Sequence, residues 1–287
     1  MLRRHRARAS LVAALALAFA GPAAGAGRSP IAALQVGLSA RGLYAGTIDG
    51  VAGPTTAAAV RAFQRRARLP VDGVAGPRTR AALGRYSRHT LGSRPLGVRA
   101  FGWDVAELQF QLAWHGFPSG PFDGRFGART AGALRRFQRY VGLRPDGVAG
   151  AGTLAALHAP LPRLSSSLAW PVRAPVGSPF GPRGVGFHAG IDLMAPAGTP
   201  VAAAASGQVV WAGARHGGWG LLVTIAHGKG VRTMYAHLSR VDVRVGERVR
   251  VGARVGRVGR TGDASGPHLH FEVRLRGAAV DPLPALR

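Results

Sequence analysis

The 287-residue chain has no cysteine, which excludes disulfides and any thiolate site and leaves no thiol for a lipid anchor. Acid is also scarce, with 12 Asp and Glu against 38 Lys and Arg and a formal net charge of +26. Lys229 is the sole lysine, so the excess is almost wholly arginine. That charge favours anionic partners, anionic wall polymers among them, and its pull weakens as salt rises. A sequence pI near 12.0 would by itself make nucleic acid the default partner. Long apolar runs are missing too. Leu11–Ala20, about ten residues, is half of the roughly twenty that a membrane span needs, so no transmembrane segment is expected in the mature protein.

What the first residues do contain is an export pattern. Arg3, Arg4, Arg6 and Arg8 precede the apolar run, and Ala24-Gly25-Ala26 follows it as an A-x-A cleavage site. Residues 1–26 are expected to be a signal peptide. Its removal takes four arginines and no acid, leaving +22. A secreted, extracytoplasmic protein follows, and that compartment argues against nucleic acid.

Next comes an internal repeat. Residues 34–83 align without a gap on residues 108–157 at an offset of 74, with about half the positions identical; such self-similarity marks tandem modules. Leu34-Gln35 meets Leu108-Gln109, Asp49-Gly50 meets Asp123-Gly124, and Phe63-Gln64-Arg65 meets Phe137-Gln138-Arg139. Asp72–Gly76 meets Asp146–Gly150. In each copy a helix is predicted to start after Gly53 or Gly127. Val60, Phe63 and Ala67, like Leu134, Phe137 and Val141, fall at i, i+3, i+7 and form one apolar stripe. Phe63 and Phe137 are therefore expected in cores, and the repeat Asp residues in Asp-Gly turns. Two small three-helix modules, each folding alone, account for the pattern.

Beyond residue 175 the periodicity becomes that of strands: Gln208–Trp211, Leu221–Ile225, Val231–Tyr235, Val241–Val245, Val249–Val251, Val255–Val258 and Leu269–Leu275. An all-β sheet or partly open barrel is predicted there. Three segments, with four of the ten histidines between them, carry the chemistry. His268 and His270 flank Leu269 and point to one face of a strand. His188 and Asp192 stand four residues apart in His188-Ala189-Gly190-Ile191-Asp192, and His237 lies between these segments in Tyr235-Ala236-His237-Leu238. Two histidines and one carboxylate, with a fourth position left for water, form a recurrent catalytic zinc set. Tyr235 is either a substrate contact or core. Glu272 shares the face of His270 and is either a partner for its imidazole or a rim ion pair. His216 and His227 read as loop and turn residues, and His89, His115 and His158 have no partners that suggest chemistry.

The segments Ser178–Arg183, His188–Asp192, Ala195–Val201, Gly218-Trp219-Gly220, Tyr235–Leu238, Thr261-Gly262 and Gly266–Val273 together resemble the lysostaphin/LytM-type zinc endopeptidases of the M23 group, which cut peptide cross-links of bacterial peptidoglycan. The resemblance implies zinc on His188, Asp192 and His270, with His237 and His268 as catalytic histidines handling the water and the oxyanion. The repeats, with their LQ start, DG turn and FQ helix, resemble the peptidoglycan-binding type-1 module. The expected division is signal peptide 1–26, module 27–86, linker 87–103, module 104–158, proline-bearing linker 159–175 and peptidase domain 176–287. Peptidoglycan is the implied partner. Two other functions stay open: a non-catalytic wall-binding activator of another hydrolase, and a secreted zinc peptidase acting on proteins.

Overall fold

The computed structural model describes residues 23–160, 164 and 166–287. The expected signal peptide lies outside them, except for Ala23–Ala26 at the start of the first helix. Among the described residues no helix is long and apolar enough to cross a membrane.

Six α-helices come first: α1 Ala23–Ser39, α2 Pro54–Arg66 and α3 Pro77–Ala82, then α4 Trp103–Trp114, α5 Ala128–Tyr140 and α6 Ala151–His158. α2 and α5 start where predicted, after extended Gly53 and Gly127. Val60, Phe63, Leu134 and Phe137 are all buried, Phe137 completely, and burying a side chain of that size contributes about 1.5–3 kcal/mol.

One buried glutamine organises each turn. Gln138 Nε2 lies 2.8 Å from Asp146 Oδ1, 3.0 Å from Val148 O and 3.3 Å from Thr153 Oγ1, while its Oε1 accepts the Gly147 N–H at 2.9 Å. Asp146 Oδ1 also accepts the Val148 N–H. The same arrangement recurs at Gln35, Asp49, Gly50 and Thr56; at Gln64, Asp72, Gly73 and Thr79; and at Gln109, Asp123, Gly124 and Thr130. Each module is thus built from two similar halves. The four glycines have φ between +68° and +79°, a conformation that only glycine adopts at little cost. The repeat Asp residues are turn-holding acceptors, as expected.

The expectation that each module folds alone is corrected. α1 packs along α4, and one apolar core combines Leu34, Leu38 and Phe63 of the first module with Trp103, Phe110 and Phe122 of the second. Gln111 of α4 also bonds Ser29 of α1 at 2.9 Å. The segment between the modules is not a loose spacer either. Leu96 is fully buried and pairs with Ala149, and Arg94 holds Asp104 at 2.8 Å.

The C-terminal part is an antiparallel sheet, as predicted. Its strands are β1 Val176–Ser178, β4 Ile191–Leu193, β5 Pro200–Ala202, β6 Gly207–Arg215, β7 Gly220–Ala226, β8 Val231–Val241, β9 Arg248–Val249, β10 Arg254–Val258, β11 Leu269–Leu275 and β12 Ala278–Val280. The main path runs β1-β4-β11-β8-β7-β6-β9, with β10 beside β5 and β8 and β12 beside β11. β2 Gly181–Arg183 and β3 Gly186–His188 form a separate two-stranded hairpin. Val241–Val245 is not a strand: β8 ends at Val241, and the chain turns at Val245-Gly246. Asp242, gripped by Arg240 and Arg254, breaks the ladder there, and Val243 alone is buried.

The stretch before β1 also departs from a linker. Leu168 and Val172 are buried in the sheet's core. Leu168 forms a parallel bridge with Leu286, its N–H donating to Ala285 O at 2.8 Å and its carbonyl accepting from Arg287 at 2.9 Å.

Candidate metal centre

The sheet register brings the predicted residues together. On β4 and β11, Asp192 lies directly opposite His270, and on β11 and β8, His270 lies opposite Ala236, next to His237. Gly190, between His188 and Asp192, lets the chain pass close to β11; a Cβ there would run into the Phe271 carbonyl. His188, at the end of β3, thereby reaches the same point.

His188 Nε2, His270 Nδ1 and Asp192 Oδ1 form a triangle with sides of 3.0, 2.9 and 3.1 Å. All three residues are buried. Adjacent corners of a tetrahedral shell with bonds of about 2.0–2.1 Å lie about 3.3 Å apart, so the triangle has the size of a zinc site. The protonation pattern fits as well. His188 Nδ1 donates to Pro179 O at 2.9 Å, which frees its Nε2 lone pair, and His270 Nε2 faces Glu272 Oε1 at 3.1 Å, which frees its Nδ1. Two lone pairs and a carboxylate oxygen then converge with no proton between them, a donor set that calls for a cation.

Electrostatics describe the same need. Burial opposes ionisation of Asp192, but hydrogen bonds from His188 and His270 and their charge hold its carboxyl far below the usual range. Burial likewise opposes charge on His270, yet Asp192 and Glu272 outweigh it and raise its pKa. A cation held by these three atoms would compete with a proton for His270.

The two remaining histidines line the same cavity. His237 donates from Nδ1 to Thr261 O at 2.8 Å, and His268 from Nδ1 to Gly266 O at 2.9 Å, so the neutral tautomer of each carries its lone pair on Nε2. Their ring centroids lie 4.9 Å apart with the planes tilted by 59°, His237 is 5.7 Å from His270, and His268 Nε2 is 3.6 Å from Asp192 Oδ1. Burial, chiefly, lowers the pKa of His237, assisted by the charges of His270 and His268. His237 reaches this position because the β7–β8 register shifts beside it and its φ is +60°. All five predicted site residues meet in one place.

The comparisons with known proteins agree with the position of this cluster. Peptidase family M23 matches residues 186–282, which hold all five residues. The C-terminal third of the chain is thus an M23 peptidase domain. A putative peptidoglycan binding domain matches residues 27–83 and 102–157, the two helical modules. The DD-carboxypeptidase/endopeptidase Mpg of Neisseria meningitidis is 50% identical over 97 residues, 34% of this chain and 22% of that protein. The peptidoglycan DD-endopeptidase ShyA of Vibrio cholerae is 42% identical over 98 residues, 34% of this chain and 23% of that protein. The chain thus spans less than a quarter of the length of these curated relatives. Among solved structures, the catalytic domain of lysostaphin from Staphylococcus simulans is 36% identical, covering 39% of this chain and 90% of that one, with a TM-score of 0.38.

Other residues of the M23 domain resolve the choices that its sequence leaves open. Tyr235 does not face the cavity: it is fully buried, packs on Phe271 and bonds Ala204 N and Thr233. The bulge at His237 breaks the alternation that would have put both on one face. Glu272 is no rim residue. It is 2% exposed and spans His270 Nε2 and Arg274 Nε, the latter at 2.6 Å. His227 is a buttress beside a turn, bonding Ser206 O and Thr233 Oγ1. Two contacts escaped sequence reasoning. Trp219 stands edge-on to His270 at 5.7 Å, and Arg183 Nη1 donates to Asp192 Oδ2 at 3.0 Å; both lie in the matching segments, but no spacing rule ties them to the donors.

Proposed function

We propose that the chain is a secreted zinc metalloendopeptidase that hydrolyses peptide cross-links or stem peptides of bacterial peptidoglycan, working outside the cytoplasm on the cell wall. The observation that carries this reading is the convergence of the His188, Asp192 and His270 donors beside His237 and His268, whose Nδ1 atoms are both tied to backbone carbonyls. His188, Asp192 and His270 would hold the metal. Zinc bound there would supply a water of near-neutral pKa and a Lewis acid for the scissile carbonyl. His237 and His268, fixed through Nδ1, would accept the water's proton and, once protonated, donate to the developing oxyanion. Glu272 keeps the His270 Nδ1 lone pair directed inward. The peptidoglycan-binding match of the modules and the wall peptidases among the relatives support the substrate class.

The modules at 27–86 and 104–158 would hold the enzyme on its insoluble substrate and raise the effective concentration of bonds to cut. The decisive experiment digests purified peptidoglycan with the full chain and identifies released peptides by mass spectrometry. The expected products are cut stem or cross-link peptides, formed only with zinc present. A zinc-loaded, folded chain that releases none, while it stimulates a second hydrolase, would favour the activator reading; cleavage of unfolded protein substrates alone would favour the protein peptidase.

A further inference from the structure

The two oxygens of Asp192 have different partners. Oδ1 faces His188 and His270, whereas Oδ2 accepts from Arg183. A guanidinium on one oxygen leaves the other as a single, directed donor. Arg183, however, has a side chain 58% exposed, and an exposed ion pair on a mobile backbone contributes little. Its value depends on what holds the β2–β3 hairpin.

That hairpin has three residues per strand and lies outside the main sheet, and a short two-stranded ribbon is marginal by itself. The helical modules hold it. Ile48 N donates to Gly184 O at 2.9 Å and Phe122 N donates to Val185 O at 2.6 Å. These donors are equivalent positions of the repeat, 74 residues apart, each just before the Asp of its Asp-Gly turn. The two modules therefore grip successive carbonyls of one turn with the same atom. Trp114 of α4 completes the hold, lying 5.5 Å from Phe187 and 6.5 Å from Phe180, edge to face.

Resting on the zinc reading above, we propose that the helical modules are part of the scaffold of the metal centre: they fix the hairpin, and the hairpin makes Arg183 a positioning residue for Asp192. The modules then act on the chemistry as well as on wall attachment.

The test uses full-length chain and two readouts besides activity: zinc affinity by chelator competition, and the visible spectrum of the cobalt(II)-loaded protein, which reports ligand geometry. Arg183→Gln should weaken zinc binding about tenfold and alter the cobalt spectrum, and Arg183→Lys should recover part of both. Trp114→Leu, which removes a contact to Phe187 and no donor, should shift both readouts in the same direction by a smaller factor. Combined with Arg183→Gln it should add nothing, because both act through one contact. Should Trp114→Leu fail to fold, Gly184→Pro replaces it: the turn is exposed and its φ of +56° is closed to proline. A folded Trp114→Leu or Gly184→Pro chain with unchanged zinc affinity and cobalt spectrum overturns the proposal, as does an additive double mutant. A parent chain that binds no zinc in the same titration refutes the metal reading instead.

Discussion

His237 offers a test in which backbone and side chain can be separated. Its φ of +60° places a branched, non-glycine residue in the left-handed region, which costs an L-residue about 1–2 kcal/mol. The position is enforced: the His237 N–H bonds Trp219 O at 3.1 Å and Nδ1 bonds Thr261 O, across the register shift between β7 and β8. Replacement by alanine and by glycine removes the same imidazole and the same hydrogen bond, so those losses cancel between the two variants. Only the backbone term differs. At an ordinary strand position glycine is the worse residue by about 0.5–1 kcal/mol. Here the order should invert, with His237→Gly more stable than His237→Ala by about 1 kcal/mol, or about 2–4 °C in melting temperature. Unfolding should be followed in metal-free buffer, because bound zinc would add its own linkage. Both variants should lose activity by roughly two or more orders of magnitude. If the alanine variant is as stable as the glycine variant, the strain assigned to this residue does not exist.

His270→Ala should abolish zinc retention together with activity, whereas His268→Ala should keep most of its zinc while turnover falls by about two to four orders of magnitude; metal analysis beside a peptide-release assay separates the two. Glu272→Gln keeps an acceptor near His270 but leaves Arg274 without its anion, and zinc affinity measured by chelator competition should fall about tenfold. Removing zinc with a chelator should stop peptide release, and added zinc should restore it. Gln138→Leu strips a buried turn of its central donor and acceptor. Urea unfolding should show a loss of about 2–3 kcal/mol, with zinc affinity unchanged.

The donor residues were legible because each sits in a short, regular segment. The i, i+2 spacing of His268 and His270 carries over directly to a shared strand face, and the β11 register does the rest. Phe63, Phe137 and the repeat Asp residues were readable for the same reason, since their roles are local. What was hidden is non-local or irregular. Tyr235 and His237 are two residues apart, but the left-handed φ between those faces sends one into the core and the other into the cavity. The 74-residue repeat is visible as identity. The half-module repeat shows only in part: Asp49–Pro54 and Asp72–Pro77 are the same six residues, but the Gln-to-Asp spacing alternates between 14 and 8 residues and hides the rest. β1 to β4 are three residues each, the first three with a glycine apiece, too short for any period to register. The shared core of α1 and α4 left no trace, since an apolar face looks alike whether it meets its own module or its neighbour.

The bridge between Leu168 and Leu286 brings the entry and the exit of the peptidase unit to one seam. In topological terms the unit is a loop of chain, and its metal donors lie within that loop, on β3, β4 and β11. Whatever precedes Leu168 can be exchanged without rethreading a strand, and a short join across the seam would let the loop be opened elsewhere, at the Gly228–Gly230 turn for example. The same seam means that tension arriving along the chain just before Leu168 meets the parallel bridge and the apolar contacts around it, whereas the β2–β3 hairpin is loaded separately, through Ile48, Phe122 and Trp114.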